Sequence, residues 1–235
     1  MKATPLSRLL AAALLSGAML GTAHAATANV RITEWMYNGN GTGSIGEFIE
    51  LTNLGTTTVD FTGWSFDDNS RTAGSENLSG FGTVAAGESV IFTDQTAAAF
   101  RANWNLSASV KVLGGNLNNL GRSDEVNVYD GTGTLVDRLT YNDQGTGSVA
   151  GPRTTGVSGI PGSLAAVGAN NASLWTLSAV GDGKGSYLSS LNEIGSPGYT
   201  PFASVAAVPE PESYTMLMAG LGLIGVIARR RSRNA

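Results

Sequence analysis

Short runs of alternating apolar residues, separated by clusters of Gly, Asn, Asp, Ser and Thr, fill the centre of the chain. Glycine occupies 32 of the 235 positions, and only 14% of the residues are charged. Apolar residues at every second position indicate strands, because successive side chains of a strand point to opposite faces. Many short strands with turn-forming residues between them predict an all-β sandwich or barrel.

The runs predict seven strands and one helix. The strands are expected at residues 30–35, 47–53, 63–67, 89–93, 110–113, 125–129 and 135–141. In the second run, Ile49 and Leu51 share the face expected to be buried, whereas Phe48 and Glu50 share an amphipathic face. Residues 95–105 have the spacing of a short helix with its two large aromatic residues on one side.

The composition loosens after residue 143. Residues 145–162 are rich in Gly, Ser, Thr and Pro, which predicts a loop. Residues 172–177, centred on Trp175, are expected to form a late strand at a sheet edge, and residues 186–190 another. We therefore treat residues 144–207 as an extension of the sandwich with one or two late strands.

The first 25 residues have the pattern of a signal peptide. A basic start is followed by an apolar run at residues 9–20, which is too short for a permanent membrane span. The run ends in a small-x-small sequence with Ala23 and Ala25 at the small positions, so cleavage is expected after Ala25. The alternative is an uncleaved anchor.

The other end of the chain, residues 208–235, has three parts. A Pro-Glu-Pro motif precedes a mainly apolar stretch at residues 213–228, which as a helix is roughly 24 Å long. A basic cluster follows and places the C-terminus in the cytoplasm, with the rest of the chain outside. The motif is Pro209, Glu210 and Pro211, and the basic cluster is Arg229, Arg230, Arg231 and Arg233.

The order and spacing of these three parts resemble the PEP-CTERM sorting signal. The resemblance implies recognition by an exosortase, a membrane transpeptidase-like enzyme, and removal of the tail. It also implies a Gram-negative host that makes exopolysaccharide. The alternative is an ordinary C-terminal membrane anchor, because hydropathy alone gives only the topology.

Charge and residue types exclude several kinds of chemistry in the exported part, residues 26–207. Sixteen of the 18 acidic residues lie there, against eight of the 14 basic ones, which gives a formal charge of −8 and disfavours nucleic-acid binding. The chain has no cysteine, and its one histidine, His24, lies in the leader. Cysteine–histidine and serine–histidine–aspartate nucleophiles are therefore excluded, as are zinc sites with His or Cys ligands.

Three sequence segments resemble the lamin tail domain. They are VRITEWMYN at 30–38, GEFIELTN at 46–53 and VDFTGWSF at 59–66, with Phe61 in place of the usual Leu. Residues 85–92 and 124–129 fit later strands of that family. The likeness covers residues 28–143 and implies an immunoglobulin-like β-sandwich that often serves as an accessory binding module. It implies architecture and no particular activity.

Carboxylates are the remaining candidates for catalysis. Glu34 and Glu50 lie on neighbouring predicted strands, and such a pair can act as general acid and base in glycoside hydrolysis. The alternative is that both are strand-end or edge carboxylates that accept hydrogen bonds from loop amides or are solvated. We favour this alternative and expect no catalytic residue.

Two weak ligand sites remain. Asp67, Asp68 and Asn69, and separately Asp182, supply oxygen ligands of the kind that Ca²⁺ accepts, although turn chemistry also explains them. We expect no metal or cofactor. Trp175 is the aromatic residue that we expect at the surface, where it would stack on a sugar.

The sequence thus predicts an exported, non-catalytic binding or structural module of the envelope or extracellular matrix. Its expected partners are signal peptidase and exosortase during processing, and then exopolysaccharide or an envelope protein. One alternative is a glycan hydrolase that uses Glu34 and Glu50. Another is a matrix protein stabilised by calcium.

Overall fold

The computed structural model describes residues 29–43 and 45–203. The leader with Ala23 and Ala25, and the tail with its Pro-Glu-Pro motif, apolar stretch and arginine cluster, lie outside these residues. In the described part of the chain, no helix is long and apolar enough to span a membrane.

The described residues form fourteen strands and one α-helix. The strands are β1 Val30–Met36, β2 Phe48–Asn53, β3 Val59–Asp60, β4 Ser65–Asp67, β5 Glu76–Asn77, β6 Thr83–Val84, β7 Ser89–Thr93, β8 Lys111–Gly114, β9 Ser123–Tyr129, β10 Leu135–Asn142, β11 Gly159–Pro161, β12 Trp175–Leu177, β13 Tyr187–Leu188 and β14 Ile194–Gly195, and the helix is α1 Ala97–Trp104. All seven predicted strands and the predicted helix are confirmed, with ends that differ by one or two residues.

Two sheets pack face to face, as expected for an immunoglobulin-like sandwich. The larger sheet has the strand order β12-β11-β1-β2-β7-β8, and the smaller has the order β10-β9-β4-β5. One apolar core lies between them, to which both sheets contribute, for example Ile32, Leu51, Phe66 and Val128. Trp64 belongs to the same core, and only 5% of the residue is exposed.

The larger sheet is covered on both faces. Its outer face carries a second apolar cluster, in which Met36, Phe48 and Ile91 pack against Phe100 and Trp104 of α1. The amphipathic face predicted for β2 is therefore fully buried. Helix α1 begins where the Thr96 side chain accepts a hydrogen bond from the Ala99 amide, at 3.2 Å.

Residues after 143 complete the larger sheet. Strand β12 forms one of its edges, which confirms the second half of the strand predicted at residues 172–177, whereas Ala172–Leu174 forms a 3-10 helix. The loop predicted at residues 145–162 is wrong in part, because Gly159–Pro161 forms β11 and pairs with both β1 and β12. A Cβ at Gly159 would lie 2.3 Å from the Trp35 ring, so β11 reaches its place in the sheet only with glycine at this position.

Candidate functional site

A bulge in β1 brings the two candidate catalytic carboxyls together. Glu34 pairs directly with Glu50 of β2, and the register shifts between Ile32 and Glu34. The extra residue, Thr33, hydrogen bonds to Glu50, so Thr33 and Glu34 both lie on the outer face of the sheet. The sequence placed the two glutamates on neighbouring strands, and the structure confirms that they are neighbours.

Glu34 accepts hydrogen bonds from two segments of the extension, with one residue in each segment as the donor. Its Oε1 accepts hydrogen bonds from the Ser158 hydroxyl and from the Ser196 amide, the latter at 2.8 Å. Its Oε2 accepts the Ser196 hydroxyl at 3.0 Å. Ser158 is in turn 2.7 Å from the hydroxyl of Ser178. Both oxygens of Glu34 are therefore occupied by donors from residues far along the chain.

Glu50 makes equivalent contacts. Its Oε1 accepts a hydrogen bond from the Thr33 hydroxyl at 2.7 Å, and its Oε2 accepts the Gly198 amide at 2.6 Å. A row of hydroxyls continues across the sheet, from Thr33 to Thr52 at 2.7 Å and from Thr52 to Ser89 at 2.7 Å. The two carboxyls and these hydroxyls form a buried polar row, which residues 196–198 cover.

The pair is closed to solvent. Glu34 and Glu50 are each 0% exposed. A Cβ at Gly195 would lie 2.7 Å from Oε1 of Glu34 and 3.1 Å from the Trp104 ring, so the backbone of the covering segment lies directly on the carboxyl. The expectation of solvated carboxylates is therefore wrong. The expected position at a strand end or sheet edge is also wrong, because both residues lie within interior strands of the larger sheet. The expected acceptance of hydrogen bonds from loop amides is confirmed.

Burial governs the charge of both groups. Loss of hydration raises the pKa of Glu34 to about 7, against the hydrogen bonds from Ser158 and Ser196, which lower it. The pKa of Glu50 rises to about 8, first because of burial and then because of the neighbouring Glu34. Among the described residues, neither carboxyl forms an ion pair with Lys or Arg. The other charged or titratable groups acting on the pair are Asp182 and Tyr187.

Two further buried glutamates also bind distant loops. Glu47 accepts hydrogen bonds from the Asn116 side chain at 2.8 Å and from the Leu120 amide at 2.6 Å. Burial raises its pKa to about 8. Glu193, 0% exposed, accepts the Asn40 amide at 2.7 Å and the Asn103 side chain at 2.6 Å.

The sequence analysis missed Glu193 and the partners Ser158, Ser196 and Gly198. One signal was present. With twice as many acids as bases in the exported part, at least eight acids have no basic partner of their own. Such acids must be solvated or held by neutral donors.

The candidate calcium ligands are engaged in turns. Asp67 is 0% exposed, and its Oδ2 accepts the Ser70 hydroxyl at 2.7 Å and the Thr72 amide at 2.6 Å. Asp68 accepts the Ser70 amide at 3.1 Å, and Asp182 accepts the Lys184 amide at 2.7 Å. Within residues 29–43 and 45–203, no three acidic, His or Cys side chains cluster as metal ligands would.

The surface position expected for Trp175 is wrong. Only 6% of the residue is exposed, and its ring packs edge-on against Trp35 with centroids 5.0 Å apart. Strand β12 turns this ring into the sandwich core because the extension belongs to the larger sheet. Trp175 therefore offers no stacking surface to a sugar.

A polar cavity opens on the smaller sheet, away from the glutamate pair. Its volume is about 250 Å³. The lining is rich in amides, hydroxyls and carboxylates, among them Asn69, Ser123, Asp124, Thr140 and Asn142. Groups of this kind hydrogen bond to polyhydroxylated ligands.

The fold and the site together define a class of protein: an all-β sandwich in which buried carboxyl groups hold the fold together. A family model described as Lamin Tail Domain matches residues 23–143, a little more than half of the chain. The chain belongs to the lamin tail domain family.

A second model, described as the PEP-CTERM protein-sorting motif, matches residues 207–232. The protein is therefore an exported protein of the surface or envelope that is processed by an exosortase. No curated protein and no solved structure matches the chain.

Proposed function

We propose that the sandwich is a non-catalytic binding or structural module, which exosortase processing delivers to the envelope or extracellular matrix of a Gram-negative bacterium. In this proposal a signal peptidase removes residues 1–25, and residues 213–228 span the inner membrane until the tail is removed. The arginine cluster keeps the C-terminus in the cytoplasm before processing.

The burial and the hydrogen bonds of the glutamate pair are the observations that support this proposal. A general acid and base must reach the bond that is cleaved, and Glu34 and Glu50 are 0% exposed. Their oxygens accept hydrogen bonds from Ser158, Ser196, Thr33 and Gly198, which are internal contacts of the fold. These contacts favour a supporting role over a role in hydrolysis.

The ligand that fits best is a neutral or cationic polysaccharide. The exported part has a formal charge of −8, which disfavours a polyanion, and the polar cavity on the smaller sheet supplies hydrogen-bonding groups. We place the binding surface at this cavity, where Asn69 and Ser123 are exposed.

Binding and hydrolysis are separated by one experiment on the protein and the extracellular polysaccharide of its host. We expect the protein to co-sediment with the polymer and to release no reducing ends. The double variant Asn69→Ala/Ser123→Ala should lose retention, whereas Thr58→Ala, an exposed change outside the cavity, should not. Release of reducing ends that Glu50→Gln abolishes would overturn the proposal in favour of a hydrolase.

A further inference from the structure

The segment that covers Glu34 and Glu50 lies just before the sorting motif. Ala203 is the last described residue, and Pro209 follows six positions later. Six residues span at most about 20 Å, at roughly 3.3–3.6 Å each. While residues 196–203 stay docked, the sorting motif therefore begins within this distance of Ala203.

Residues 196–203 are held on the sandwich by the two carboxyls and by packing, since Ser196, Pro197 and Thr200 are buried. Strand β14 ends at Gly195, and the next residues make a turn in which the Tyr199 amide donates to the Ser196 carbonyl at 3.0 Å. The contacts of this turn with the sheet include Ser196 on Glu34 and Gly198 on Glu50. Tyr199 itself is 54% exposed.

We propose that Glu34 and Glu50 form a proton-held latch that docks residues 196–203 on the sandwich and thereby sets the length of chain between the folded domain and the sorting motif. The inference rests on the proposed processing of the tail. When the latch opens, Gly195 becomes the last docked residue, and the upper limit on the distance from the sandwich to Pro209 grows from about 20 Å to about 50 Å.

The geometry explains why protons hold the latch. Two carboxylates in direct cross-strand register repel each other, and burial without a basic partner disfavours the charged form of each. Asp182 adds to this repulsion at Glu34, and Tyr187 contributes no positive charge. Once the segment lifts, water hydrates both carboxylates and they ionise. Opening therefore releases protons, and higher pH favours it.

Hydrogen exchange of the full-length chain in detergent micelles tests the latch. Between pH 5 and pH 6 both groups are mainly protonated when docked and mainly ionised when open. The protection factors of the Ser196 and Gly198 amides, corrected for intrinsic exchange, should then fall about tenfold per pH unit for each proton released. Amides of the central strands, such as Leu51 and Val90, should stay more strongly protected at every pH, because they exchange only when the whole domain unfolds.

Isosteric variants assign the effect to the pair. A glutamine at either position keeps the amide contact and cannot ionise. Glu50→Gln should reduce the pH dependence at Ser196 and Gly198, and the double variant Glu34→Gln/Glu50→Gln should abolish it. The matched control is Glu47→Gln. Glu47 is also buried and directly precedes β2, but it binds the loop around Leu120. This variant should leave the pH dependence at Ser196 and Gly198 unchanged.

Two results would overturn the latch. One is protection at Ser196 and Gly198 that does not change with pH in the unmodified protein. The other is an equal effect of Glu47→Gln, because exchange would then proceed through global unfolding. Neither result depends on polysaccharide binding or on hydrolysis, so the latch and the proposed function of the module fail separately.

Discussion

Buried glutamates, rather than exposed ones, hold this sandwich to its extension. Glu34 and Glu50 meet because one bulged residue in β1 brings Glu34 opposite Glu50, and both then lie beneath Ser196 and Gly198. Their neutral donors offset only part of the loss of hydration, so burial favours the protonated form of both. The stability that these two residues contribute to the fold therefore depends on pH.

The direction of that dependence follows from the pKa values. The pKa of Glu34 is raised from 4.5 to about 7 and that of Glu50 from 4.5 to about 8. A raised pKa gives stability that is complete below the unfolded value of 4.5 and is lost as pH rises through the folded value. The free energy of unfolding of residues 26–207 should thus fall by about 3 kcal/mol or more between pH 5 and pH 8.

Urea unfolding at pH 5, 6, 7 and 8 measures this fall. Glu34→Gln, which keeps the shape and cannot ionise, should make the decline shallower. Glu125 provides the opposite control, because Arg71 lowers its pKa to about 2. Glu125→Gln should lower stability by a nearly constant amount from pH 5 to pH 8 and leave the slope over that range unchanged, because the contribution of Glu125 is lost only as pH falls toward about 2. A stability that rises from pH 5 to pH 8 would contradict the assignment.

At the scale of elements, local pattern predicted the strands well and their surroundings poorly. The alternation that places Ile49 and Leu51 on one face is visible within a few neighbouring residues, so β2 was predictable from the sequence. The burial of Glu50 depends on Gly198, 148 positions away, and no local pattern records that contact. Trp175 was misjudged for the same reason, because its burial depends on β12 joining the sheet that contains Trp35.

The place of β11 in the larger sheet makes a further prediction. Gly159 lies against the Trp35 ring, and a methyl group there would overlap the ring at 2.3 Å. Gly159→Ala should destabilise the domain by roughly 1–3 kcal/mol, the usual cost of overpacking a core. Gly181→Ala is a control without such a steric clash, since nothing lies within 4 Å of a Cβ there, although its positive φ of 84° adds some strain.

Thermal unfolding of both variants decides the point. Gly159→Ala should lower Tm well beyond Gly181→Ala. Equal effects would mean that β11 does not pack on Trp35, and that the sandwich ends near residue 143, where the family match also ends.

The whole molecule combines a lamin tail domain with a sorting tail, and the processing of both ends is the central claim. The motif and its order were predictable because each part is local in the sequence: Pro209, Glu210 and Pro211, then the apolar stretch, then the arginines. What the mature domain binds is a property of its surface in its native setting, and the sequence supplies only the charge and the cavity that bear on it.

Intact mass of the protein from its native envelope and culture medium is the most direct test. The account predicts a mature chain that starts at Ala26 and ends near Pro209 to Pro211. A mass that still includes Arg229 to Ala235 would mean that the tail is an ordinary membrane anchor, and would contradict processing by an exosortase.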